Sequence, residues 1–300
     1  MLQTVSGNDA AINALKAALE SGRLSHSVLL CGEQGTGTGY AARCLAADYL
    51  YPNDATAAAQ VMRGHAPACL EVEGEGASGE IKIDTIRKVR SEIFHTALTA
   101  EKRVVIIYQA QNFNLPSANA LLKVLEEPPE GVLFILTASS AAAVLATIRS
   151  RCIAFSFAPV SVQECAAYLV QQRKGCRNAA FLAQVFGGKI GTALACVDDP
   201  LRKAALDEAL RMAQLCAARD AYSLLVMLSQ KEKDKPAAKL LLGDLQCICA
   251  AVLRGASELS LSPRLAAAIL PLAQTASHRL SANVNTKLVF ADLAAHLRTL

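Results

Sequence analysis

The chain has 300 residues, of which 53% are hydrophobic and 5% aromatic, and its net charge is +4 from 30 basic and 26 acidic residues. This composition excludes a disordered chain, and so small a charge excess lacks the basic stripe of an autonomous nucleic-acid-binding protein. We expect roughly two domains with large cores, and the abundance of Ala and Leu favours helices.

Residues 1–157 alternate between strand-like and helix-like patterns. Three short runs rich in Val, Ile and Leu are predicted strands: SVLLCG, RVVIIYQ and GVLFILTAS. Because these runs are almost continuously apolar, we expect both of their faces to be buried, as in a parallel sheet covered by helices. Helical patterns lie between them in AARCLAADYL, TIRKVRSEIFHTAL and SANALLKVLEE. The repeated strand–helix order predicts an α/β domain.

Residues 158–203 contain no strong strand pattern and are predicted to form a small helical domain. Ser161 is followed three residues later by Glu164, which is a signature of a helix start. The segment after it reads as two short helices separated at Gly187-Gly188.

Residues 204–300 are predicted to be helical throughout. Apolar residues recur at three- and four-residue spacing in several long segments, which is typical of amphipathic helices. Helix starts are predicted at Ser262-Pro263 and at Asn283. A helical bundle follows from this pattern.

A glycine-rich loop, CGEQGTGTGY, lies between the first predicted strand and a predicted helix, which is the context of a phosphate-binding loop. Gly32 and Gly37 match the two glycines of the template G-x-x-x-x-G-K-[ST], but Thr38 replaces the lysine and Gly39 replaces the serine or threonine. The backbone from Gly32 through Gly35 to Gly39 could still surround an anion. The alternative is an ordinary glycine-rich turn with no relation to nucleotides.

A second part of a nucleotide-hydrolysing site, the strand that ends in acidic residues holding Mg²⁺, is also altered. The predicted strand Val104 to Ile107 ends in Tyr108 and Gln109, which cannot hold Mg²⁺ as a carboxylate does. A charge-assisted hydrogen bond is worth about 1.5–3 kcal/mol, so the missing lysine alone weakens nucleotide binding by at least about tenfold. We predict that the chain does not hydrolyse ATP and carries no cofactor.

The segment SANALLKVLEEPPEGVLFILTAS, followed by LATIRSRC, resembles the bacterial AAA+ clamp-loader family. IKIDTIRKV, GGKIGTAL and NVNTKLVFADLAAHL are similar to further segments of that family in the same order, so the resemblance spans nearly the whole chain. It implies an AAA+ P-loop-type parallel sheet with flanking helices over 1–157. It further implies a small helical lid domain over 158–203 and a C-terminal helical collar for oligomerisation over 204–300.

The Ser-Arg-Cys motif is formed here by Ser150, Arg151 and Cys152. In the family its arginine is an arginine finger that reaches the γ-phosphate of ATP on the adjacent subunit, so the resemblance implies that Arg151 acts in trans. A planar, permanently charged guanidinium suits that role. The alternatives are a surface arginine or one paired with a nearby carboxylate, and Arg149 is expected to be a structural ion-pair partner.

Two adjacent carboxylates, Glu126 and Glu127, end a helical pattern just before Pro128-Pro129. Adjacent residues at a helix end do not converge on one point, so they do not form a catalytic acid pair. We interpret them as helix-end and turn residues.

Many relatives carry four cysteines after the first helix that bind a structural zinc. The corresponding window of this chain contains only Cys69, with His65 nearby. Two candidate ligands fall short of the four that a structural zinc requires, so we predict no zinc and no other metal.

The intact Ser-Arg-Cys motif beside a degenerate nucleotide site resembles the delta-prime members of the family. The resemblance implies a non-hydrolysing subunit, inactive as an enzyme by itself, within the DNA polymerase III holoenzyme. Implied partners are the gamma/tau ATPase subunits and the delta subunit, with the sliding clamp and primed DNA reached through the complex. The alternative is an ATP-hydrolysing gamma/tau-like or other AAA+ ATPase with an unusual site.

The N-terminal segment has no basic stretch followed by an apolar run, so we predict no signal peptide. No segment of about 18 residues is apolar throughout, which predicts no membrane span. We therefore expect a cytoplasmic protein whose 10 scattered cysteines stay reduced and act as small buried hydrophobic residues.

Overall fold

A computed structural model describes residues 1–76, 79–96, 102–173, 175–256 and 258–299, with the backbone alone for His95 and Thr96. The chain divides into two compact units, Met1–Pro159 and Val160–Leu300. The end of the first unit lies close to residue 157, where the α/β domain was predicted to end. The further division at residue 203 into a lid and a collar stays a prediction.

The first unit contains a parallel sheet. Its strands are β1 (Ser27–Cys31), β2 (Cys69–Val72), β3 (Arg103–Ile107), β4 (Val132–Ala138) and β5 (Ile153–Ser156), in the spatial order β2-β3-β4-β1-β5. β1 lies between β4 and β5, with Val28 opposite Ile135 on one side and Ile153 on the other. The predicted parallel sheet is confirmed, and the edge strands β2 and β5 are additions that the sequence pattern did not indicate.

Helices cover both faces of this sheet. They are α1 (Asp9–Glu20), α2 (Thr38–Leu50), α3 (Ala55–Met62), α4 (Ile83–Thr96), α5 (Leu115–Glu126) and α6 (Ala146–Arg149). Side chains of a strand alternate between faces, so Val28 and Leu30 pack in the core with α1, α2 and α3, whereas Leu29 packs in the core with α4, α5 and α6. The α/β layer architecture is thereby confirmed.

The helical pattern TIRKVRSEIFHTAL corresponds to α4 over its described part. The structure begins this helix at Ile83, two residues before the predicted pattern, and describes it to Thr96. Ala97 and Leu98, which end the predicted pattern, lie outside the described residues.

The second unit is helical in its described part. Its helices are α7 (Val162–Gln172), α8 (Ala179–Phe186), α9 (Ile190–Asp198), α10 (Pro200–Ala218), α11 (Ala221–Gln230), α12 (Lys235–Leu253), α13 (Pro263–Ser281) and α14 (Thr286–Leu297). Their buried apolar residues form one continuous core. Position 203, the predicted lid–collar boundary, falls inside α10.

Three helix starts of the second unit were predicted by residue, of which two are confirmed and one is wrong. Ser161 and Glu164 form the predicted capping box at α7, and Ser262 accepts the predicted capping hydrogen bond, from Leu265 N, at α13. The predicted start at Asn283 is wrong, because α14 is capped by Asn285, whose side chain accepts from Lys287 N. Asn283 instead adopts a left-handed conformation with φ 62°, which Asn tolerates in a turn.

Helix α12 is long and apolar enough to cross a membrane by length and composition, and half of its most apolar window is buried inside the protein. It packs against α10 and α13. Asp244 of α12 is buried and accepts two hydrogen bonds from Arg202 of α10. These contacts are those of a core helix. A buried core helix can be as long and as apolar as a helix that spans a membrane.

Candidate functional site

The glycine-rich loop runs from Gly32 to Gly37 and joins β1 to α2. A Cβ atom at Gly32 would lie 2.5 Å from Thr36 Oγ1 and 2.7 Å from the carbonyl oxygen of Phe157, so no larger residue fits there. Gly37 caps α2 with φ 95°, a conformation that L side chains rarely adopt. The loop glycines are therefore required by the backbone path itself, whether or not the loop holds a ligand.

A cavity of about 480 Å³ lies beside this loop, at the carboxyl ends of the parallel strands. In open α/β sheets, ligands bind in the crevice outside these strand ends. Of the predicted loop residues, Gly32, Gly35, Thr38 and Gly39 line the cavity. Its described lining contains one carboxylate, that of Glu73, and neither a lysine nor an arginine, so it offers a polyphosphate no cationic side chain.

Tyr108 places its ring against the start of α2. A Cβ atom at Gly39 would lie 3.4 Å from Tyr108 Cε1, so the ring lies directly beside the residue at which the loop template carries a Mg²⁺-binding hydroxyl. Gln109, the next residue, donates its backbone N–H to Thr137 Oγ1 at 3.1 Å. Tyr108 and Gln109, which stand where the acidic pair is expected, both line the cavity.

The Tyr108 hydroxyl belongs to a group that we call the Arg43–Glu71–Tyr108 network. Tyr108 donates to Glu71 Oε2 at 2.9 Å, and Arg43 donates to Glu71 from Nε at 3.1 Å and from Nη2 at 2.7 Å. Burial and the hydrogen bond to Glu71 raise the pKa of Tyr108, so its hydroxyl stays protonated. Arg43 and Glu71 were not predicted from the sequence, because they lie on separate elements and match no motif.

The Ser-Arg-Cys motif directly follows the one-turn helix α6. Ile148 is fully buried, and Cys152 packs against the same core, where burial raises the pKa of its thiol to about 12. Between these anchors, Ser150 is exposed and the Arg151 side chain is one-third exposed, at 33%. Cys152 therefore contributes packing, while Arg151 carries the charge of the motif at the surface.

The Arg151 guanidinium makes three described hydrogen bonds. Its Nη1 donates to Thr147 O at 2.9 Å and to Ser150 Oγ at 3.3 Å, and its Nη2 donates to the carboxylate of Glu126 at the end of α5. In the isolated chain Arg151 is therefore an arginine paired with a nearby carboxylate, one of the alternatives that the sequence left open.

The prediction that Arg149 would be the ion-pair partner is wrong. Within the described residues, Arg149 Nη1 donates to Ala141 O at 3.2 Å, and the ion pair is formed by Arg151 with Glu126. Residues two positions apart in a helical turn point in different directions, so only one of the two arginines faces the end of α5. Glu126 is the last residue of α5, as interpreted, and its role as an ion-pair partner was missed.

Across the described ranges, no group of three or more His, Cys, Asp or Glu side chains is arranged to hold a metal ion. Cys69 lies on β2, where burial raises the pKa of its thiol to about 12 and disfavours the thiolate that a metal would need. The absence of zinc stays a prediction.

Residues 7–161, more than half of the chain, match the family model described as DNA polymerase III, delta subunit. Among curated relatives, subunit gamma/tau of Mycobacterium tuberculosis is 32% identical over 154 residues, covering 49% of this chain and 27% of that protein. Subunit delta' of Bacillus subtilis is 30% identical over 175 residues, covering 56% of this chain and 53% of that protein. The chain thus spans about half or less of the length of these relatives.

A crystal structure of a DNA polymerase III gamma subunit-related protein from Thermotoga maritima matches 95% of this chain and 98% of its own, with a TM-score of 0.59 and 18% identity. At that identity the likeness concerns the fold, and it agrees with the predicted AAA+ sheet followed by a helical C-terminal part. The match to the family model coincides with the first unit of the chain. The chain belongs to the DNA polymerase III clamp-loader family, through the model described as DNA polymerase III, delta subunit.

Proposed function

We propose that this chain is a delta-prime-type subunit of the clamp loader that does not hydrolyse ATP and that supplies Arg151 to ATP bound on a neighbouring subunit. The observation that carries the proposal is the Tyr108 ring against Gly39, beside a cavity whose described lining lacks cationic side chains. Both positions that bind Mg²⁺ in a working site are thus taken by groups that bind it poorly.

The loop has a structural role in this proposal. Gly32 and Gly37 are needed for the backbone path between β1 and α2, so the glycines persist without a nucleotide. Arg43, the cation nearest in sequence to the loop, is committed to Glu71. The Arg43–Glu71–Tyr108 network therefore fixes β2, β3 and α2 together at the place where a bound nucleotide would otherwise order them.

The proposed role of Arg151 follows from the geometry of its motif. Ile148 and Cys152 anchor the turn in the core, and Arg151 lies between them on a partly exposed surface. A guanidinium held this way can present two N–H donors to phosphate oxygens of another subunit and offset charge in the transition state. Arginine fingers supplied in trans accelerate phosphoryl transfer by about 10³–10⁵.

The proposed partners are the gamma/tau ATPase subunits and the delta subunit, with the sliding clamp and primed DNA engaged by the assembled loader in the cytoplasm. We propose that the second unit takes part in assembly, which is supported by the exposed apolar side chains of Tyr222 and Leu225 on α11 and Leu288 on α14. Nearby, Glu232 and Lys287 line a groove between these helices and give it a polar rim.

The first test is titration of the isolated chain with a fluorescent ATP analogue and Mg²⁺. We expect no saturable binding at micromolar concentrations and no turnover, because the loop lacks the lysine and both Mg²⁺ positions. A gamma/tau subunit of the same organism, titrated in parallel, is the positive control. Micromolar affinity with turnover would overturn the claim of an inert site.

The second test is the clamp- and DNA-stimulated ATPase rate of a loader reconstituted from the same organism. Arg151→Ala is expected to lower the rate by about tenfold or more while the complex still assembles. Arg149→Ala removes the same charge two residues away and serves as the matched control. Equal rates for wild type and Arg151→Ala would show that Arg151 is structural.

A gamma/tau-like ATPase is the second candidate. It is favoured by the similarity to gamma/tau proteins and by the open cavity of about 480 Å³ at the loop. The fluorescent-ATP titration separates the two candidates, since only this one requires the chain itself to bind and turn over ATP.

A further inference from the structure

In the isolated chain the Arg151 guanidinium is hydrogen-bonded to groups of its own chain. Two of its three described hydrogen bonds are local and go to neutral oxygens, those of Thr147 and Ser150. The third goes to Glu126, which lies 25 residues away on α5 and is the anionic partner. The net charge of the guanidinium is therefore offset within this chain.

We propose that Glu126 is a positioning residue that holds Arg151 in a resting state and releases it when the neighbouring subunit presents the γ-phosphate of ATP. This inference rests on the proposed function of Arg151. A carboxylate and a phosphate are alternative anionic acceptors for the same N–H donors, so the engaged state competes with the Arg151–Glu126 pair.

The solvent exposure of the Arg151–Glu126 pair determines how strongly Glu126 can hold Arg151. The side chains of Arg151 and Glu126 are 33% and 49% exposed, so water screens their attraction. Exposed ion pairs shift an equilibrium by about 1.5- to 5-fold. A triphosphate, with its higher charge, can displace such a partner, whereas a fully buried pair would keep the arginine out of reach.

A resting state of this kind affects the ATPase rate only while engagement is incomplete. The ATPase rate is proportional to the fraction of Arg151 that is engaged with ATP. A competing state lowers this fraction appreciably only when the engaged fraction is small. Glu126 should therefore limit the rate of the loader without clamp and DNA. Once clamp and DNA drive engagement close to completion, the same pair has little effect.

The experiment measures the ATPase rate of the reconstituted loader with and without clamp and primed DNA, for Glu126→Gln in both the Arg151 and the Arg151→Ala backgrounds. With Arg151 present, we expect the unstimulated rate to rise about 2- to 5-fold and the stimulated rate to change little. With Arg151→Ala, the Glu126 substitution should have no effect. The gain should also shrink as salt is raised, because exposed pairs are screened.

Glu127→Gln is the matched control, since it removes the same charge at the next exposed position. A similar change in both Arg151 backgrounds, or no gain in the unstimulated rate, would overturn the role of Glu126 while leaving the finger intact. If Arg151→Ala itself leaves the stimulated rate unchanged, the proposed function fails instead. Size-exclusion chromatography of each loader verifies assembly. Glu126→Ala also removes the hydrogen-bond acceptor, so it should raise the unstimulated rate at least as much as Glu126→Gln.

Discussion

One arginine–carboxylate pair of the second unit and one of the first unit differ in burial, and they suit different purposes. In the second unit, Arg202 and Asp244 are 13% and 4% exposed and make two parallel hydrogen bonds of 2.6 and 2.5 Å. In the first unit, Arg151 and Glu126 are 33% and 49% exposed and share one described hydrogen bond. The buried pair joins two helices permanently, whereas the exposed pair can open at little cost.

In the Arg43–Glu71 pair the arginine is 36% exposed, slightly more than Arg151, whereas the carboxylate, at 19%, lies between Glu126 and Asp244 in exposure. The pair is bidentate like the buried pair, with Nε donating to Oε1 and Nη2 donating to Oε2, and Glu71 also accepts from Tyr108. The three pairs form a series in which burial rises from Glu126 to Glu71 to Asp244. If burial decides whether such a pair is structural or releasable, removing each carboxylate should destabilise the chain in the same order.

The largest effect is expected for Asp244→Ala. It leaves the Arg202 guanidinium buried without its anion, which should lower the free energy of unfolding of the second unit by about 3–5 kcal/mol. Chemical denaturation followed by circular dichroism measures this loss. The double substitution Arg202→Met, Asp244→Leu should recover most of it, because a packed apolar pair of similar size needs no partner charge. A double variant as unstable as Asp244→Ala would contradict this explanation.

An intermediate effect is expected for Glu71→Ala. It removes the shared acceptor of Arg43 and Tyr108, and leaving half-buried donors unpaired costs about 1–3 kcal/mol. Glu73→Ala, at an exposed position two residues along, is the matched control in the same denaturation experiment. Equal stabilities of the two variants would show that the Arg43–Glu71–Tyr108 network does not hold the first unit together near the glycine-rich loop.

The smallest effect is expected for Glu126→Ala. Since its pair with Arg151 is exposed, the free energy of unfolding should fall by less than about 1 kcal/mol. Glu127→Ala provides the comparison. A loss as large as that of Glu71→Ala would place Glu126 among the structural carboxylates and remove the basis for a releasable arginine.

Much of the fold could be predicted from local signals. β1, β3 and β4 are buried on both faces, so their sequences are continuously apolar and easily recognised. The edge strands gave no such signal, because β5 is largely exposed and β2 has one fully buried residue. They are strands because each pairs with one neighbour, Cys69 with Val104 and Val28 with Ile153, which no local pattern encodes.

The candidate site could likewise be predicted in part from local sequence, and the rest of it could not. The sequence by itself determined which chemical groups stand at the loop, at the end of β3 and in the Ser-Arg-Cys motif, because these are contiguous residues whose spacing is set by the chain. Only the tertiary structure decided that Glu71 receives Arg43 and Tyr108, and that Arg151 rather than Arg149 meets Glu126. Electrostatic partners are chosen by distance through space and by burial, and both arise only when separate elements pack.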